Sequence, residues 1–133
     1  MRFELVDRVL ELEGERIVTI KNVTSAEEYL GDHFPGFPIL PGVLMLEAMV
    51  QAARCWLRER AGCEGRWVLA EARNIRYGSM VRPGESLTVN VERLEGSDGR
   101  QTFQGRGNVN GGVAVQGRFT LRRMQTTPSG GAK

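Results

Sequence analysis

One segment of this chain is too apolar to belong on a protein surface. Residues 42–53 read GVLMLEAMVQAA, and only Glu47 and Gln51 among them are polar. A helix that is apolar on nearly all sides belongs in the interior of a protein, and residues four apart lie on the same side of it. Because a carboxylate is almost never buried without a partner or a chemical role, Glu47 is a candidate functional residue.

The composition indicates one ordinary globular domain. A chain of 133 residues with 41% hydrophobic residues can form one core but not two. The net charge of +2 gives no ground by itself for nucleic-acid binding. Cys55 and Cys63 have neither the spacing nor the histidine partners of a zinc site, so we expect no metal and reduced thiols in a cytoplasmic protein. No apolar run is long enough for insertion into a membrane.

Patterns on both sides of the apolar helix predict strands. Runs at 3–12 and 16–22 flank a turn at Gly14 and favour a hairpin. We expect the helix to begin at Pro41-Gly42 and to end near Gly62. Later extended segments are predicted at 67–77, 85–94, 101–110 and 113–123, where apolar residues alternate and turn residues intervene. The prediction is an α+β fold in which an antiparallel sheet wraps around one long central helix.

Other segments carry weaker signals. Ser25 and Glu28 match a capping box before a short helical turn at 26–30, and the prolines and glycines of 31–41 predict a loop. Glycines 105 and 107 within one strand indicate a bulge or a close approach by another backbone. We expect a single domain over 1–125 and a disordered tail over 126–133.

The residues at the helix start resemble those of a known enzyme family. The stretch DHFPGFPILPGVLMLEAMVQAA, residues 32–53, closely resembles the signature of the bacterial 3-hydroxyacyl-[acyl carrier protein] dehydratases of type II fatty acid synthesis. His33, the only histidine in the sequence, and Glu47 stand at the family's separation, and Gln51 follows Glu47 as in the family's E-A-M-x-Q. Weaker similarity covers 4–9 and 81–85. The resemblance implies the hotdog fold.

The resemblance also implies an activity and partners. A dehydratase of this family converts (3R)-3-hydroxyacyl-[acyl carrier protein] to trans-2-enoyl-[acyl carrier protein] without metal or cofactor, with the substrate on the carrier's phosphopantetheine arm. It implies a homodimer or a trimer of dimers, in which His33 of one subunit faces Glu47 of the other. The family relative that also isomerises the double bond tends to have Asp at this position, so Glu47 favours dehydration alone.

The residue types independently suit this chemistry. Histidine is largely neutral yet basic at pH 7 and suits removal of the C2 proton, and a buried Glu47 that keeps a proton suits protonation of the leaving hydroxyl. Gln51, one turn later, is expected to orient that carboxyl. The backbone N–H of Gly42, at the helix N-terminus, is the candidate donor to the thioester oxygen, because a residue without a side chain lets a substrate approach closely.

Each assignment has a simpler alternative. A lone histidine is often a hydrogen-bonded loop residue, Glu47 can pair with an arginine across an interface, and Pro-Gly is ordinary at a helix start. Four arginines are expected to contact the carrier protein: Arg54, Arg58, Arg76 and Arg82. The simpler alternative is that they are ordinary solvated surface residues.

Two other functions stay open. A hotdog acyl thioesterase would hydrolyse the thioester with a carboxylate and water. A non-catalytic acyl-binding or scaffold subunit would need neither residue. The Asp-x-Asn-Pro-x-His pattern of the related acyl-CoA hydratases is absent from the sequence. The joint presence of His33 and Glu47 favours the dehydratase.

Overall fold

A computed structural model describes residues 4–24 and 40–124 of the chain. In these residues one antiparallel sheet of six strands packs against one long helix, which confirms the predicted α+β architecture. The elements, in chain order, are β1 (Arg8–Glu13), β2 (Arg16–Asn22), α1 (Gly42–Arg58), β3 (Trp67–Tyr77), β4 (Ser86–Ser97), β5 (Arg100–Val109) and β6 (Gly112–Arg123).

The order of strands in the sheet is β1-β2-β4-β5-β6-β3, and each neighbouring pair is antiparallel. Tight turns join three of these pairs, including the predicted hairpin at Gly14. At the β5–β6 turn Asn110 and Gly111 both have positive φ angles, of 49° and 81°. Two successive positive φ values give the two-residue turn whose twist matches that of the strands. Because they stand at the two ends of the strand order, β1 and β3 form the edges of the sheet.

The first strand is shorter than predicted. We expected it over residues 3–12, whereas β1 begins at Arg8. The reason is that Leu5 is fully buried and its backbone N–H donates to the side chain of Gln51, 2.8 Å away. The segment before β1 thus packs against helix α1 instead of extending the hairpin. The other strands and the helix agree with their predicted bounds to within three residues at either end, except that the helix ends at Arg58.

The core lies between one side of α1 and the facing side of the sheet. Phe103 stacks on Phe119 with ring centroids 5.5 Å apart, and it meets the Trp56 ring nearly at a right angle with centroids 5.8 Å apart. A side chain at position 105 would meet the sulfur of Met49 at 2.6 Å, so Gly105 leaves the space that this buried methionine fills. The close neighbour predicted at this glycine is therefore a helix side chain and not a backbone. The bulge predicted at Gly107 is present as a register shift between Gly107 and Asn108.

The opposite side of α1 is only partly covered in the single chain. Val43 is 68% exposed, and the side chain of Glu47 is 38% exposed. The expectation that Glu47 is buried among apolar neighbours is therefore wrong for one chain taken alone. The physical reason is that a single sheet covers only one side of a helix, and α1 buries Met45, Ala48, Met49, Ala52, Ala53 and Trp56 there.

Several predictions fall on other parts of the chain. The helical turn at 26–30, most of the loop at 31–41, His33 and the tail at 126–133 lie outside the described residues. They stay predictions. Within 4–24 and 40–124, no helix has both the length and the apolarity needed to cross a membrane.

Gly117 provides a test of how closely the strands approach one another. A Cβ atom there would lie 2.9 Å from Cα of Ile75 and 3.0 Å from the carbonyl oxygen of Asn74, both in the backbone of the bulged β3. Because backbone atoms cannot rotate away, we expect Gly117→Ala to lower the free energy of unfolding by about 1–3 kcal/mol. Urea denaturation measures this change.

The matched control is Gly99→Ala, because a Cβ atom at Gly99 has nothing within 4 Å. We expect its free energy of unfolding to stay within about 0.5 kcal/mol of the unmodified protein. Equal unfolding midpoints for the two variants would contradict the packing described at Gly117.

Candidate active site

Glu47 lies on α1 with one carboxyl oxygen held by neighbours. Its Oε2 accepts a hydrogen bond from Nε2 of Gln51 at 3.0 Å. The same oxygen is 3.5 Å from Nη1 of Arg54, a long ion pair. Gln51 follows Glu47 by four residues and Arg54 follows it by seven, so all three side chains project from the same side of the helix.

Gln51 is bonded at both ends of its amide group. Its Oε1 accepts from the N–H of buried Leu5 at 2.8 Å while its Nε2 donates to Glu47. A flip of the amide would break both hydrogen bonds, so the backbone of Leu5 fixes the orientation in which Gln51 meets the carboxyl. The structure brings Gln51 and Glu47 together as the sequence spacing predicted.

Arg54 is also anchored within the chain. Its Nε donates to the backbone carbonyl of Trp67, the first residue of β3, at 2.9 Å. We had assigned Arg54 to contact with a carrier protein, and its contact with Glu47 was missed. The signal was available in the sequence, because a spacing of seven residues returns to the same side of a helix.

Among the residues that the structure describes, no side chain caps the N-terminus of α1. Pro41 occupies the N-cap position with extended backbone angles, φ −61° and ψ 144°. Gly42 is the first helical residue, whose N–H has no acceptor within the helix. The helix start is therefore a potential donor site with the positive end of the helix dipole.

Tyr77 occupies the space that the absent side chain of Gly42 leaves. A Cβ atom on Gly42 would lie 3.0 Å from Cε1 of the Tyr77 ring. We expected this glycine to let a substrate approach, whereas in the structure a side chain of β3 uses the space. Tyr77 is 51% exposed and was not among the expected site residues.

The other arginines expected near the site are exposed. Arg58 donates to Sγ of Cys55 at 3.0 Å, and Arg76 lies on the edge strand β3. Arg82 begins a turn held by Glu85, whose carboxylate accepts the N–H of Arg82 at 2.8 Å. That hydrogen bond lowers the pKa of Glu85 below its usual value.

A cleft of about 490 Å³ lies beside the Glu47 network. Its walls include Glu4, Gln51, Arg54, Cys55, Leu57 and Trp67. Cys55 and Cys63 are both free thiols, as expected. Over 4–24 and 40–124, no three side chains of His, Cys, Asp or Glu cluster in a way that could hold a metal ion.

Comparisons of the sequence with known proteins give consistent matches. A family model described as a FabA-like domain matches residues 1–118. A relative from Granulibacter bethesdensis, named 3-hydroxyacyl-[acyl-carrier-protein] dehydratase FabZ, is 34% identical over 131 residues, which cover 96% of this chain and 77% of the relative. A relative of the same name from Desulforamulus reducens is 43% identical over 102 residues, covering 74% of this chain and 72% of the relative.

Solved structures share the architecture at low sequence identity. A chain of the dehydratase heterocomplex ApeI:P from Xenorhabdus doucetiae superposes with a TM-score of 0.78 at 21% identity, covering 93% of this chain and 85% of that one. A hypothetical thioesterase with coenzyme A from Streptococcus pneumoniae gives a TM-score of 0.67 at 11% identity, covering 90% and 86%. This likeness concerns the fold alone, which is the hotdog fold expected from the sequence.

Gln51 allows a test of the hydrogen bonds that hold Glu47. In Gln51→Met the N–H of fully buried Leu5 loses its acceptor, so we expect the free energy of unfolding to fall by about 1–3 kcal/mol. Urea denaturation measures the loss. In the control, Gln104→Met, the lost partner is the exposed Arg118, which water can solvate, so the change should stay within about 0.5 kcal/mol. A similar loss in both variants would argue against the Leu5 contact.

Proposed function

The chain belongs to the FabA-like family, and we propose that it is a 3-hydroxyacyl-[acyl carrier protein] dehydratase, a lyase of fatty acid biosynthesis. It would convert (3R)-3-hydroxyacyl thioesters to trans-2-enoyl thioesters and release water. The observation that carries the proposal is the Glu47 carboxyl on the central helix, held through one oxygen by Gln51. The relatives named FabZ support the same reaction, since they match this chain over most of its length.

The reaction needs one base and one acid. His33 would take the proton from C2 of the acyl group, and the electrons of that C–H bond would form the C2–C3 double bond. Glu47 would donate its proton to the hydroxyl on C3, so that the C–O bond breaks and water leaves. Afterwards His33 carries a proton and Glu47 lacks one, and exchange with solvent restores both.

Negative charge that develops on the thioester oxygen would be stabilised at the start of α1. The N–H of Gly42 is the proposed donor, because the first N–H of a helix has no acceptor within the helix and lies at the positive end of the helix dipole. Tyr77, packed against Gly42, would hold the helix start and the edge strand β3 together.

The site is proposed to require a second copy of the chain. The side of α1 that carries Val43 and Glu47 is partly open in one chain, and β3 is an edge strand of the described sheet. A partner subunit packed there would bury this side and supply His33 across the interface. We propose a homodimer, which could assemble further into a trimer of dimers.

The acyl group is proposed to arrive on the phosphopantetheine arm of an acyl carrier protein. Exposed arginines suit the phosphate of the arm and the acidic surface of a carrier, and Arg58, Arg76 and Arg82 are the proposed residues for this contact. Arg54 instead donates to the backbone of Trp67. No metal or cofactor takes part in the proposed steps. The free cysteines suit a cytoplasmic location.

A thioesterase is the second candidate, since the hotdog fold is shared with a hypothetical thioesterase and one carboxylate can activate water. The two reactions differ in their products. A dehydratase leaves the thioester intact and lowers its mass by one water, whereas a thioesterase releases a free thiol.

The first functional prediction is that the purified protein interconverts 3-hydroxyacyl and trans-2-enoyl thioesters of the carrier protein. His33→Ala and Glu47→Gln should each lower kcat by at least about 100-fold, because each removes one proton-transfer group. Mass spectrometry of the carrier-bound product measures the reaction, and circular dichroism checks that both variants fold.

Three results would contradict this proposal. Near-normal kcat in a folded variant would remove that residue from the mechanism. Release of free thiol would favour the thioesterase. Activity that a chelator abolishes and a divalent ion restores would require a different mechanism.

A second functional prediction concerns the shared site. Mixing His33→Ala with Glu47→Gln subunits should restore activity, because a mixed dimer has one site with both residues intact and one with both replaced. Random pairing gives about half mixed dimers, so recovery should approach about a quarter of the unmodified activity. Mass spectrometry of the native dimers confirms the exchange. No recovery despite exchange would place both residues in the same subunit's site.

A further inference from the structure

Arg54 is a charged side chain near the site to which the proposed reaction gives no role. The carbonyl of Trp67 holds its Nε at 2.9 Å, and its Nη1 lies 3.5 Å from Oε2 of Glu47. The side chain is 35% exposed, so solvent weakens the attraction between the two charges. The hydrogen bond to the sheet backbone, more than the ion pair, therefore determines where the guanidinium group lies.

The contacts of Glu47 distinguish its two carboxyl oxygens. Gln51 and Arg54 both approach Oε2. Within the described ranges, residues 4–24 and 40–124, no donor lies within hydrogen-bond distance of Oε1. Gln51 is anchored to Leu5 before β1, and Arg54 is anchored to Trp67 at the start of β3. The carboxyl group is thus held through Oε2 from two separate parts of the chain, and no described residue holds Oε1.

We propose that Arg54 is a positioning residue for Glu47, which rests on the proposed dehydratase function. With Gln51 it holds Oε2, so that Oε1 faces the leaving hydroxyl. Glu47 becomes negatively charged as its proton moves to that hydroxyl, and the attraction to Arg54 grows during the same step. An interaction that strengthens toward the transition state raises kcat more than it affects substrate binding.

The test compares Arg54→Gln with Arg106→Gln, which makes the same change at an exposed arginine of β5 that does not line the cleft beside Glu47. We expect Arg54→Gln to lower kcat by about fivefold or more, with KM within about twofold of the unmodified enzyme. Arg106→Gln should leave both constants within about twofold. Arg54→Lys keeps a positive charge but loses the hydrogen bond to Trp67, so it should recover only part of the lost kcat.

A double-mutant cycle shows whether Arg54 acts through Glu47. In the Glu47→Gln background, Arg54→Gln should cause no further loss of the residual kcat, because the carboxylate that Arg54 holds is no longer present. The urea unfolding midpoints of the unmodified protein, the two single variants and the double variant provide a second measurement that does not depend on activity. The effects of the two substitutions on stability should also be non-additive. This second readout applies whichever reaction the enzyme catalyses.

The possible failures are distinguishable. An unmodified protein without dehydratase activity would overturn the proposed function and this assignment with it. An active enzyme in which Arg54→Gln leaves kcat unchanged would overturn only the role of Arg54. Equal fold losses in both backgrounds, an effect on KM alone, or an Arg54→Lys variant as slow as Arg54→Gln would also overturn it.

Discussion

The packing of helix α1 against one side of the six-stranded sheet is the constraint on which the other features depend. Met49 fits over Gly105, and Trp56 contacts Phe103, so the buried side of the helix has little room to shift or rotate. Because that side is fixed, the opposite side presents Glu47 at a defined place. A side chain on a rigid helix is positioned more accurately than one on a loop.

Hydrogen bonds around Glu47 connect the helix to two separate segments of the chain. Gln51 reaches the backbone of Leu5 before the first strand, and Arg54 reaches the backbone of Trp67 at the start of the edge strand. Both anchors are backbone groups, whose positions follow from the fold and not from side-chain rotamers. The same contacts that orient the carboxyl also secure the N-terminal segment, so stability and site geometry are coupled.

The sequence alone predicted most of the fold because local residue patterns indicate the strands, the helix and the turns. Alternating apolar residues located the strands, and the glycine turns located the hairpins. The exception was the start of the first strand, where Leu5 follows a strand-like pattern but donates to Gln51. A hydrogen bond between residues 46 apart leaves no mark in local periodicity.

For the site, the sequence determined the types and spacing of the groups: Glu47 and Gln51 on one side of a helix that begins at Gly42. Only the tertiary structure decided how exposed Glu47 is, which oxygen its neighbours hold, and that Tyr77 fills the space beside Gly42. Spacing along a helix fixes which side chains share a side, because the helical repeat is constant. Exposure and long-range partners depend on which distant segments pack there, and one local sequence does not encode them.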